Sequence, residues 1–193
     1  MKVTHWNRRD VRPADWRASN VPESKWGARF DLIPKGLPFV DMARSYVENL
    51  RANVEAGKGL ILWGPYRGGK SSIAAIVVGE GLAHRLDCYW VESFDVTDAW
   101  IGKSRGRREA IRGAHLLVID DLGMESRGSS DFPKDIIHDV LRYRLERLMP
   151  VILTTNMGVA EIKKVYGEKM WSLLQEFMDD ILVSGAEDHW RKK

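Results

Sequence analysis

A glycine-rich segment with one lysine and one serine is the part of this chain best suited to chemistry. It covers residues 64–71 and reads GPYRGGKS, a complete G-x-x-x-x-G-K-[ST] pattern. Backbone N–H groups of such a loop converge on phosphate oxygens, and the N-terminus of the next helix adds partial positive charge. Lys70 can reach the β- and γ-phosphates, and the Ser71 hydroxyl can bind Mg²⁺. The segment therefore predicts a site for a nucleoside triphosphate.

The residues on either side of this segment have the pattern that such a loop requires. The apolar residues LILW precede it at positions 60–63, and a helix-compatible apolar run follows at positions 72–78. The motif indicates a phosphate-binding loop when a strand precedes it and a helix follows it. An accidental glycine turn before a core helix is the alternative, and the complete motif with both flanks argues against it.

Two carboxylates, Asp120 and Asp121, follow the apolar run LLVI at positions 116–119. An unbroken apolar run is typical of a strand covered on both faces. Ligands of an open parallel sheet bind beyond the carboxyl ends of its strands, so the two acids are expected beside the phosphate loop. One would hold Mg²⁺ and the other would orient the attacking water. The alternative interpretation is a solvated acid pair at a strand end without a role in binding. The presence of the phosphate loop in the same chain argues against this alternative.

A third candidate, Asn156, follows the apolar strand predicted at positions 150–155. Its amide can contact a γ-phosphate or the attacking water. Asparagine after a strand is most often a turn residue. The catalytic interpretation therefore depends on the order of the three motifs along the chain: phosphate loop, acid pair, asparagine.

Composition limits the class of protein. The chain has 193 residues, 44% hydrophobic and 30% charged, with a formal net charge of +3. These values are typical of one globular domain. No apolar run approaches the roughly 18 residues of a membrane span, and residues 1–10 lack the apolar centre of a secretory signal. The single cysteine, Cys88, excludes an intrachain disulfide. We expect a cytoplasmic protein without membrane contact.

The chain divides into a short first segment and one domain. Four prolines interrupt residues 1–38, which we expect to form an irregular segment that straps onto the domain or docks a partner. Residues 39–193 alternate apolar strands with helical patterns, beginning with a helix predicted at 40–54. This alternation predicts a three-layer α/β fold around a mainly parallel sheet. Short helices predicted at 159–165 and 168–178 form only a minimal C-terminal helical region.

Four basic residues lie close together between two predicted helices, beside Gly102 and Gly106. A basic loop of this kind can contact DNA phosphates independently of sequence. An ordinary solvated surface loop is the alternative. The candidate DNA-binding residues are Lys103, Arg105, Arg107 and Arg108.

Three segments, taken in order, resemble the AAA+ ATPases of the DnaC-type helicase-loader group and their IstB-type transposition relatives. They read GPYRGGKS at 64–71, LLVIDDLG at 116–123 and RYRLERLMPVILTTN at 142–156. The first two correspond to the Walker A and Walker B motifs. The resemblance covers about residues 40–165 and implies a P-loop domain of the AAA+ type that uses ATP and Mg²⁺.

The resemblance also implies roles for individual residues. Ser71 and Asp120 would bind the metal, and Asp120, Asp121 and Asn156 would be catalytic, with Asn156 sensing the γ-phosphate. Arg144 lies where the family commonly has an arginine, and we expect it to act in trans on the site of a neighbouring subunit. The implied nucleotide-binding residues are Gly64, Pro65, Tyr66, Arg67, Gly68, Gly69, Lys70, Ser71, Ser72 and Arg191.

One departure from the family's pattern concerns catalysis. Loaders of this group carry Ser-Arg-Leu or Asp-Arg-Leu in the second-last helix, where the arginine reaches the ATP of a neighbour. Here the corresponding residues are WSLL at 171–174, with Leu173 in place of that arginine. A trans arginine is worth about 10³–10⁵ in rate. We therefore expect slow ATP hydrolysis.

The resemblance implies an ATP-binding DNA-replication factor similar to a replicative helicase loader. It would act as an ATP-bridged homo-oligomer on DNA, single-stranded in preference to duplex, with a replicative helicase as its partner. Two alternatives stay open. One is an IstB-type regulator that assembles on duplex DNA and recruits a transposase; the other is a non-hydrolysing ATP-binding scaffold.

Overall fold

A parallel sheet of five strands lies at the centre of the part of the chain that the structure describes. The computed structural model describes residues 11–33, 38–124, 132–177 and 181–183. All paired strands run parallel, in the order β2-β3-β4-β1-β5. The predicted α/β fold with a parallel sheet is confirmed. The strands are β1 Leu60–Trp63, β2 Cys88–Glu92, β3 Leu116–Leu122, β4 Val151–Thr155 and β5 Ile181–Val183.

Helices cover both faces of this sheet. Side chains along β1 alternate between the faces, so Leu60 and Leu62 join one apolar cluster and Ile61 the other. The first cluster includes residues of α1 to α4, and the second includes residues of α5 to α8. None of the helices in the described ranges has the length and apolarity of a membrane span. The helices are α1 Pro13–Ala18, α2 Pro38–Glu48, α3 Leu50–Glu55, α4 Lys70–Ala83, α5 Ser93–Ile101, α6 Arg105–Gly113, α7 Phe132–Leu145 and α8 Val159–Phe177.

The first described residues pack tightly on α4. A Cβ atom at Gly79 of α4 would lie 2.8 Å from the ring of Trp16, so only glycine permits this close approach. The N–H of Trp90 in β2 donates to the carbonyl of Ser19 over 2.8 Å, and the Asn20 side chain donates to the Trp90 carbonyl over 2.9 Å. Residues 19–20 therefore cover the outer edge of the sheet, where unpaired backbone groups would otherwise be exposed.

Three predicted elements differ from the observed ones. The first segment contains α1 and the two 3-10 turns Glu23–Lys25 and Phe30–Leu32, because a proline in the first turn of a helix does not break it. The helix predicted at 40–54 is two helices, which separate at Asn49, whose side chain donates to the Ser45 carbonyl.

The third difference concerns the predicted basic loop. Only the turn around Lys103 is a loop, whereas Arg105, Arg107 and Arg108 lie on α6. Gly106 lowers the helix propensity but stands in the first turn, where it is tolerated. The paired helices predicted at 159–165 and 168–178 correspond to α8, whose backbone departs from helical geometry at Gly167, with φ 81°.

Arg144 on α7 is fully buried, with 0% of its surface exposed. Its guanidinium donates to the carbonyls of Ile111, Ala114 and Pro150 over 2.9, 2.9 and 3.0 Å, and more weakly to that of Arg112 over 3.4 Å. Burial lowers the pKa of Arg144 to about 10. The side chain thus joins the C-terminus of α6, whose last carbonyls lack helical partners, to the start of β4.

This position contradicts the prediction that Arg144 acts in trans. A side chain with no exposed surface and its donors committed to four carbonyls of its own chain cannot reach a neighbouring nucleotide. The prediction was wrong because the helical pattern of residues 142–147 does not show which arginine faces inward.

We expect Arg144→Met to lower the free energy of unfolding by about 2–4 kcal/mol, because it leaves buried carbonyls without donors. Urea denaturation measures the effect. Arg142→Ala is the matched control: Arg142 is exposed and pairs with Glu146 at 3.1 Å, so its loss should change stability by no more than about 0.5 kcal/mol. Equal effects of the two substitutions would contradict the structural role of Arg144.

Candidate nucleotide site

The glycine-rich loop connects β1 directly to α4. Gly64 and Gly69 have φ values of 142° and 83°, a region that favours glycine. Arg67 also has a positive φ, of 62°. The N–H of Gly64 donates to the carbonyl of Thr155 over 3.2 Å, which ties the loop to the end of β4. The backbone conformation of the loop therefore depends on glycine at both glycine positions of the G-x-x-x-x-G-K-[ST] motif.

Lys70 extends back into this loop, where only 5% of its surface is exposed. Its amine donates to the carbonyls of Gly64 and Pro65, each over 2.9 Å, and to Oδ1 of Asn156 over 2.7 Å. Burial lowers the pKa of Lys70, and the charges of Asp121 and Asp120 oppose this shift. The structure thus brings the predicted lysine and the predicted asparagine into direct contact.

Asp120 lies at the centre of a second set of hydrogen bonds. Ser71 donates its hydroxyl to Oδ1 of Asp120 over 3.0 Å, and the Thr154 hydroxyl donates to the same oxygen. Only 7% of Asp120 is exposed. Burial raises its pKa, as does the charge of Asp121, while the hydrogen bonds from Thr154 and Ser71 act in the opposite direction.

This arrangement fits a magnesium ion. Mg²⁺ binds oxygen ligands and is usually held by one or two carboxylates together with substrate phosphates. The hydroxyl of Ser71 and the carboxylate of Asp120 supply two such oxygens at one place. Across the described ranges, no group of three histidine, cysteine or acidic residues could hold a metal by itself. A magnesium ion here would therefore need the phosphates of a nucleotide as additional ligands.

A β-bulge places Asp121 at the same edge. The register between β3 and β4 shifts between Ile119 and Leu122, so two consecutive acids lie at the end of β3. Asp121 has a φ of 55°, and its N–H donates to the Thr154 hydroxyl over 2.9 Å. Its carbonyl accepts from Ser93 over 2.7 Å. The bulge leaves Asp120 buried and Asp121 half-buried, so the two carboxylates have different environments.

Negative charge is concentrated at this edge. Glu92, the last residue of β2, is the register partner of Asp120. Partial burial raises the pKa of Glu92, and the charges of Asp95, Asp120 and Asp121 raise it further. Carboxylates that disfavour each other's ionisation favour a bound cation, which lowers their mutual repulsion.

Thr154 and Thr155 were missed as site residues by the sequence reasoning. Thr154 donates to Asp120, and Thr155 donates to the Leu122 carbonyl over 2.8 Å, so both join the end of β3 to the end of β4. The available signal was the presence of two hydroxyl residues in an otherwise apolar strand. Buried hydroxyls need partners, and the carboxyl end of the neighbouring strand supplies them.

The remaining predicted residues have varied positions. Tyr66 is 74% exposed, and Pro65 and Arg67 are exposed beside it. Ser72 lies half-buried in the first turn of α4. Arg191 lies outside the described residues, so its predicted contact with the nucleotide stays a prediction. The structure therefore brings together Lys70, Ser71, Asp120, Asp121 and Asn156 at the carboxyl edge of the sheet.

Leu173 faces the interior. It is 8% exposed and belongs to the apolar cluster that α5 to α8 form on the sheet. Ser172 and Gln175, its neighbours on α8, are exposed. An arginine at position 173 would enter this core in the described arrangement, so the leucine is a packing residue.

The four candidate DNA-binding residues are exposed or half-buried on α6 and the turn before it. Arg105 pairs with Glu109 at 2.7 Å, and Arg107 lies 3.8 Å from both Asp95 and Asp98. Arg108 donates to the Lys103 carbonyl over 3.4 Å. Exposed ion pairs of this kind are weak, so they leave the basic character of α6 largely available to a polyanion.

No protein-family model matches the chain, and no curated protein matches it in sequence. Solved structures do. The DnaC helicase loader matches with a TM-score of 0.73 and 24% identity, covering 85% of this chain and 100% of that one. DnaI matches with a TM-score of 0.69 and 19% identity, covering 86% and 93%. The replication initiator DnaA, bound to AMPPCP and single-stranded DNA, matches with a TM-score of 0.65 and 12% identity, covering 92% and 52%.

These matches establish the architecture. The chain shares the fold of the DnaC helicase loader and DnaI, which agrees with the predicted α/β fold of the P-loop type. At identities of 24% and lower the comparison shows the fold alone, because one fold supports many functions. The activity of the chain depends on the residues of the candidate site.

The raised pKa of Asp120 predicts a dependence of stability on pH. The folded protein binds this proton more tightly than the unfolded chain, so Asp120 ionisation destabilises the fold as pH rises from the ordinary carboxyl pKa through the raised one. Without Mg²⁺ or nucleotide at pH 7, Asp120→Asn should therefore raise the free energy of unfolding by about 1 kcal/mol. The gain should shrink as the pH falls through the raised pKa.

Urea denaturation with EDTA at several pH values measures this effect. The amide oxygen of asparagine can still accept the hydrogen bonds of Ser71 and Thr154. Asp98→Asn is the control, because Asp98 is exposed on α5. A loss of stability in Asp120→Asn at pH 7 would show that the buried charge is fully compensated.

Proposed function

We propose that this protein is an ATP-binding DNA-replication factor of the helicase-loader type, which works as an ATP-bridged homo-oligomer on DNA. The observation that carries the proposal is the convergence of Lys70, Ser71, Asp120 and Asn156 at one edge of the sheet. Lysine, hydroxyl, carboxylate and amide are the groups that position a magnesium triphosphate. The similarity of fold to DnaC and DnaI supports the choice of a loader among ATP-binding proteins.

Each residue has a defined task in this proposal. Backbone N–H groups within residues 66–72 and the amine of Lys70 would bind phosphate oxygens, and Ser71 and Asp120 would hold Mg²⁺. The metal, when bound, neutralises phosphate charge. Asp121 orients the attacking water, and Asn156 contacts the γ-phosphate. Lys70 must exchange its three hydrogen bonds within the protein for phosphate oxygens as the nucleotide enters.

We infer that hydrolysis is slow. Fast hydrolysis in such sites uses an arginine that stabilises the charge of the transition state. Arg144 is buried by its own chain, and Leu173 occupies the position at which the resemblance places a trans arginine. These two observations also favour the second candidate, an ATP-binding scaffold without turnover. DNA-stimulated ATP turnover that disappears in Lys70→Ala would exclude the scaffold.

We expect Lys70→Ala to weaken ATP binding at least about 100-fold, because it removes the charge-assisted hydrogen bonds to the β- and γ-phosphates. Titration with a fluorescent ATP analogue and Mg²⁺ measures the affinity. Lys58→Ala is the matched control. Lys58 is exposed and lies before the amino end of β1, whereas the loop follows the carboxyl end of β1, so the two lie at opposite ends of the strand. Unchanged affinity in Lys70→Ala would contradict the nucleotide site.

The same variants test the loader. Wild-type protein with ATP should co-precipitate a replicative helicase, and Lys70→Ala should not. Deletion of residues 1–10 tests docking by the first residues. A deletion of residues 1–30 is unsuitable, because it removes Trp16 and Val21 from the core. No helicase binding, together with stable filaments on duplex DNA, would favour the IstB-type alternative.

We also propose that α6 contacts the DNA backbone. Among the described residues, Lys103 and Arg108 have no acidic partner at ion-pair distance, unlike Arg105 and Arg107. Both lie at or near the start of α6, where they can reach phosphates without a change in the fold. The DnaA structure with single-stranded DNA is consistent with a DNA-contacting protein of this fold.

The double substitution Lys103→Ala with Arg108→Ala should weaken single-stranded DNA binding uniformly across sequences. It should also reduce the slope of log affinity against log salt by about 0.7 per lost phosphate contact. Fluorescence anisotropy at several salt concentrations measures both effects. The control, Arg51→Ala with Lys58→Ala, removes the same charge from exposed positions on α3 and before β1. Equal losses in both variants would show only a general charge effect.

A further inference from the structure

Two arginines and two aromatic rings form a continuous stack on the surface where α5, α6 and α7 meet. The guanidinium of Arg112 on α6 lies over the ring of Trp100 on α5, 5.4 Å from its centroid, and over the ring of Tyr143 on α7, 4.9 Å from its centroid. Arg147, just after the end of α7, lies over the same Tyr143 ring at 3.9 Å. We call these four residues the arginine–aromatic stack. Its arginines precede β3 and β4, so they lie at the amino ends of these strands, away from the nucleotide site.

Stacking holds Arg112 in place without using its hydrogen-bond donors. The residue is exposed, and among the described residues its guanidinium has no hydrogen bond and no carboxylate at ion-pair distance. Contact with an aromatic ring uses the flat face of a guanidinium, whereas its N–H groups lie in the plane and form a fork that suits phosphate oxygens. An arginine held in this way loses less conformational freedom when it binds. Arg112 is therefore a preorganised group for an anion.

The charge around Arg112 is positive. Arg147 donates to the Tyr143 carbonyl over 3.1 Å, and its Nη1 lies 3.7 Å from a carboxylate oxygen of Glu146. The same Glu146 pairs with Arg142 at 3.1 Å. One exposed acid is thus shared by two arginines, and ion pairs of this kind are weak. The surface beside Arg112 keeps a positive charge that attracts a polyanion.

The stack continues the basic surface of α6. Arg108 and Arg112 are four residues apart on this helix, so their side chains are neighbours on one face, about one turn apart. Arg108 is one of the residues for which a DNA contact is proposed above. A strand that meets Arg108 at the beginning of α6 can therefore reach Arg112 at its end and continue towards α7 without any change in the fold.

We propose that the arginine–aromatic stack binds a phosphate of single-stranded DNA beside the one that Arg108 contacts. Arg112 donates to this phosphate, and the rings of Trp100 and Tyr143 hold its guanidinium in position. The inference rests on the proposed function, because it extends the DNA contact proposed for α6. Arginine and aromatic side chains within a basic surface are the combination that binds single strands without sequence preference.

Arg112→Gln tests the direct contact. We expect the affinity for a fluorescent oligothymidylate to fall by about fivefold to tenfold, and the slope of log affinity against log salt to decrease by about 0.7. Anisotropy titrations of the full chain at several salt concentrations measure both. Arg112→Lys keeps the charge but loses the fork, so it should restore only part of the affinity. Arg51→Ala removes an exposed arginine from α3 and should change the affinity by less than about twofold.

Tyr143→Leu tests the role of the rings. It keeps every charge but removes the ring that Arg112 and Arg147 share. We expect a loss of affinity of about twofold to threefold, because Arg112 is then held on one side only. A basic patch that acts through its charge alone would bind equally well in this variant. An unchanged unfolding midpoint and unchanged nucleotide affinity verify that each variant is folded.

The outcomes separate this inference from the proposed function. If wild-type protein does not bind single-stranded DNA, the proposed DNA contact of α6 is wrong and the stack has no role. If wild-type protein binds and the variant of Lys103 with Arg108 is weakened, but Arg112→Gln binds like Arg51→Ala, only the stack is overturned. Wild-type affinity in Tyr143→Leu would overturn the role of the rings.

Two competitors identify the ligand. Inorganic phosphate and polyglutamate, each added at the same ionic strength, should displace the oligothymidylate much less effectively than unlabelled oligothymidylate does. Equal competition by polyglutamate would show that the stack recognises negative charge of any kind, which overturns the phosphate contact. Binding of inorganic phosphate that disappears in Arg112→Gln, with unchanged DNA affinity, would show a site for free phosphate in place of a DNA strand.

Discussion

The proposed site depends on one buried carboxylate. Asp120 accepts hydrogen bonds from Ser71 at the start of α4 and from Thr154 in β4, so a single oxygen joins three elements of the fold. The charge is unfavourable where it lies, because burial opposes its ionisation. A buried carboxylate of this kind contributes little to a purely structural core, because its charged form is disfavoured there. A divalent cation bound beside it would offset the negative charge.

Arg144 is also a buried charged residue, but its charge is stabilised by backbone groups of its own chain. It is buried as completely as any residue of the described chain, but its donors meet backbone carbonyls, including those at the end of α6 that need partners. Both terminal nitrogens of this buried cation have carbonyl partners, and these bonds connect the helix to the sheet. Among the described residues, Arg144 is therefore buried at the amino ends of β3 and β4, whereas Asp120 and Lys70 are buried at the carboxyl ends of the strands, where the candidate site lies.

Local patterns in the sequence predicted those parts of the site that are formed by residues close together along the chain. The phosphate loop is contiguous, and the acids and Asn156 follow strands that must end at one edge because the sheet is parallel. The hydroxyl of Thr154, the burial of Arg144 and the inward direction of Leu173 were not predicted. Each depends on contacts between distant segments, and periodicity alone does not show which face of a helix the core will cover. The same limit hid α1, whose position depends on Trp16 meeting Gly79.

The resting contacts of Lys70 have a consequence for kinetics. Its amine already donates hydrogen bonds to two loop carbonyls and to Asn156, so under the proposed function these bonds would have to break before Lys70 could bind a phosphate. Association then includes a step within the protein that does not depend on nucleotide concentration. The observed association rate should consequently level off at high concentration instead of rising in proportion to it, well below the rate at which the two molecules collide.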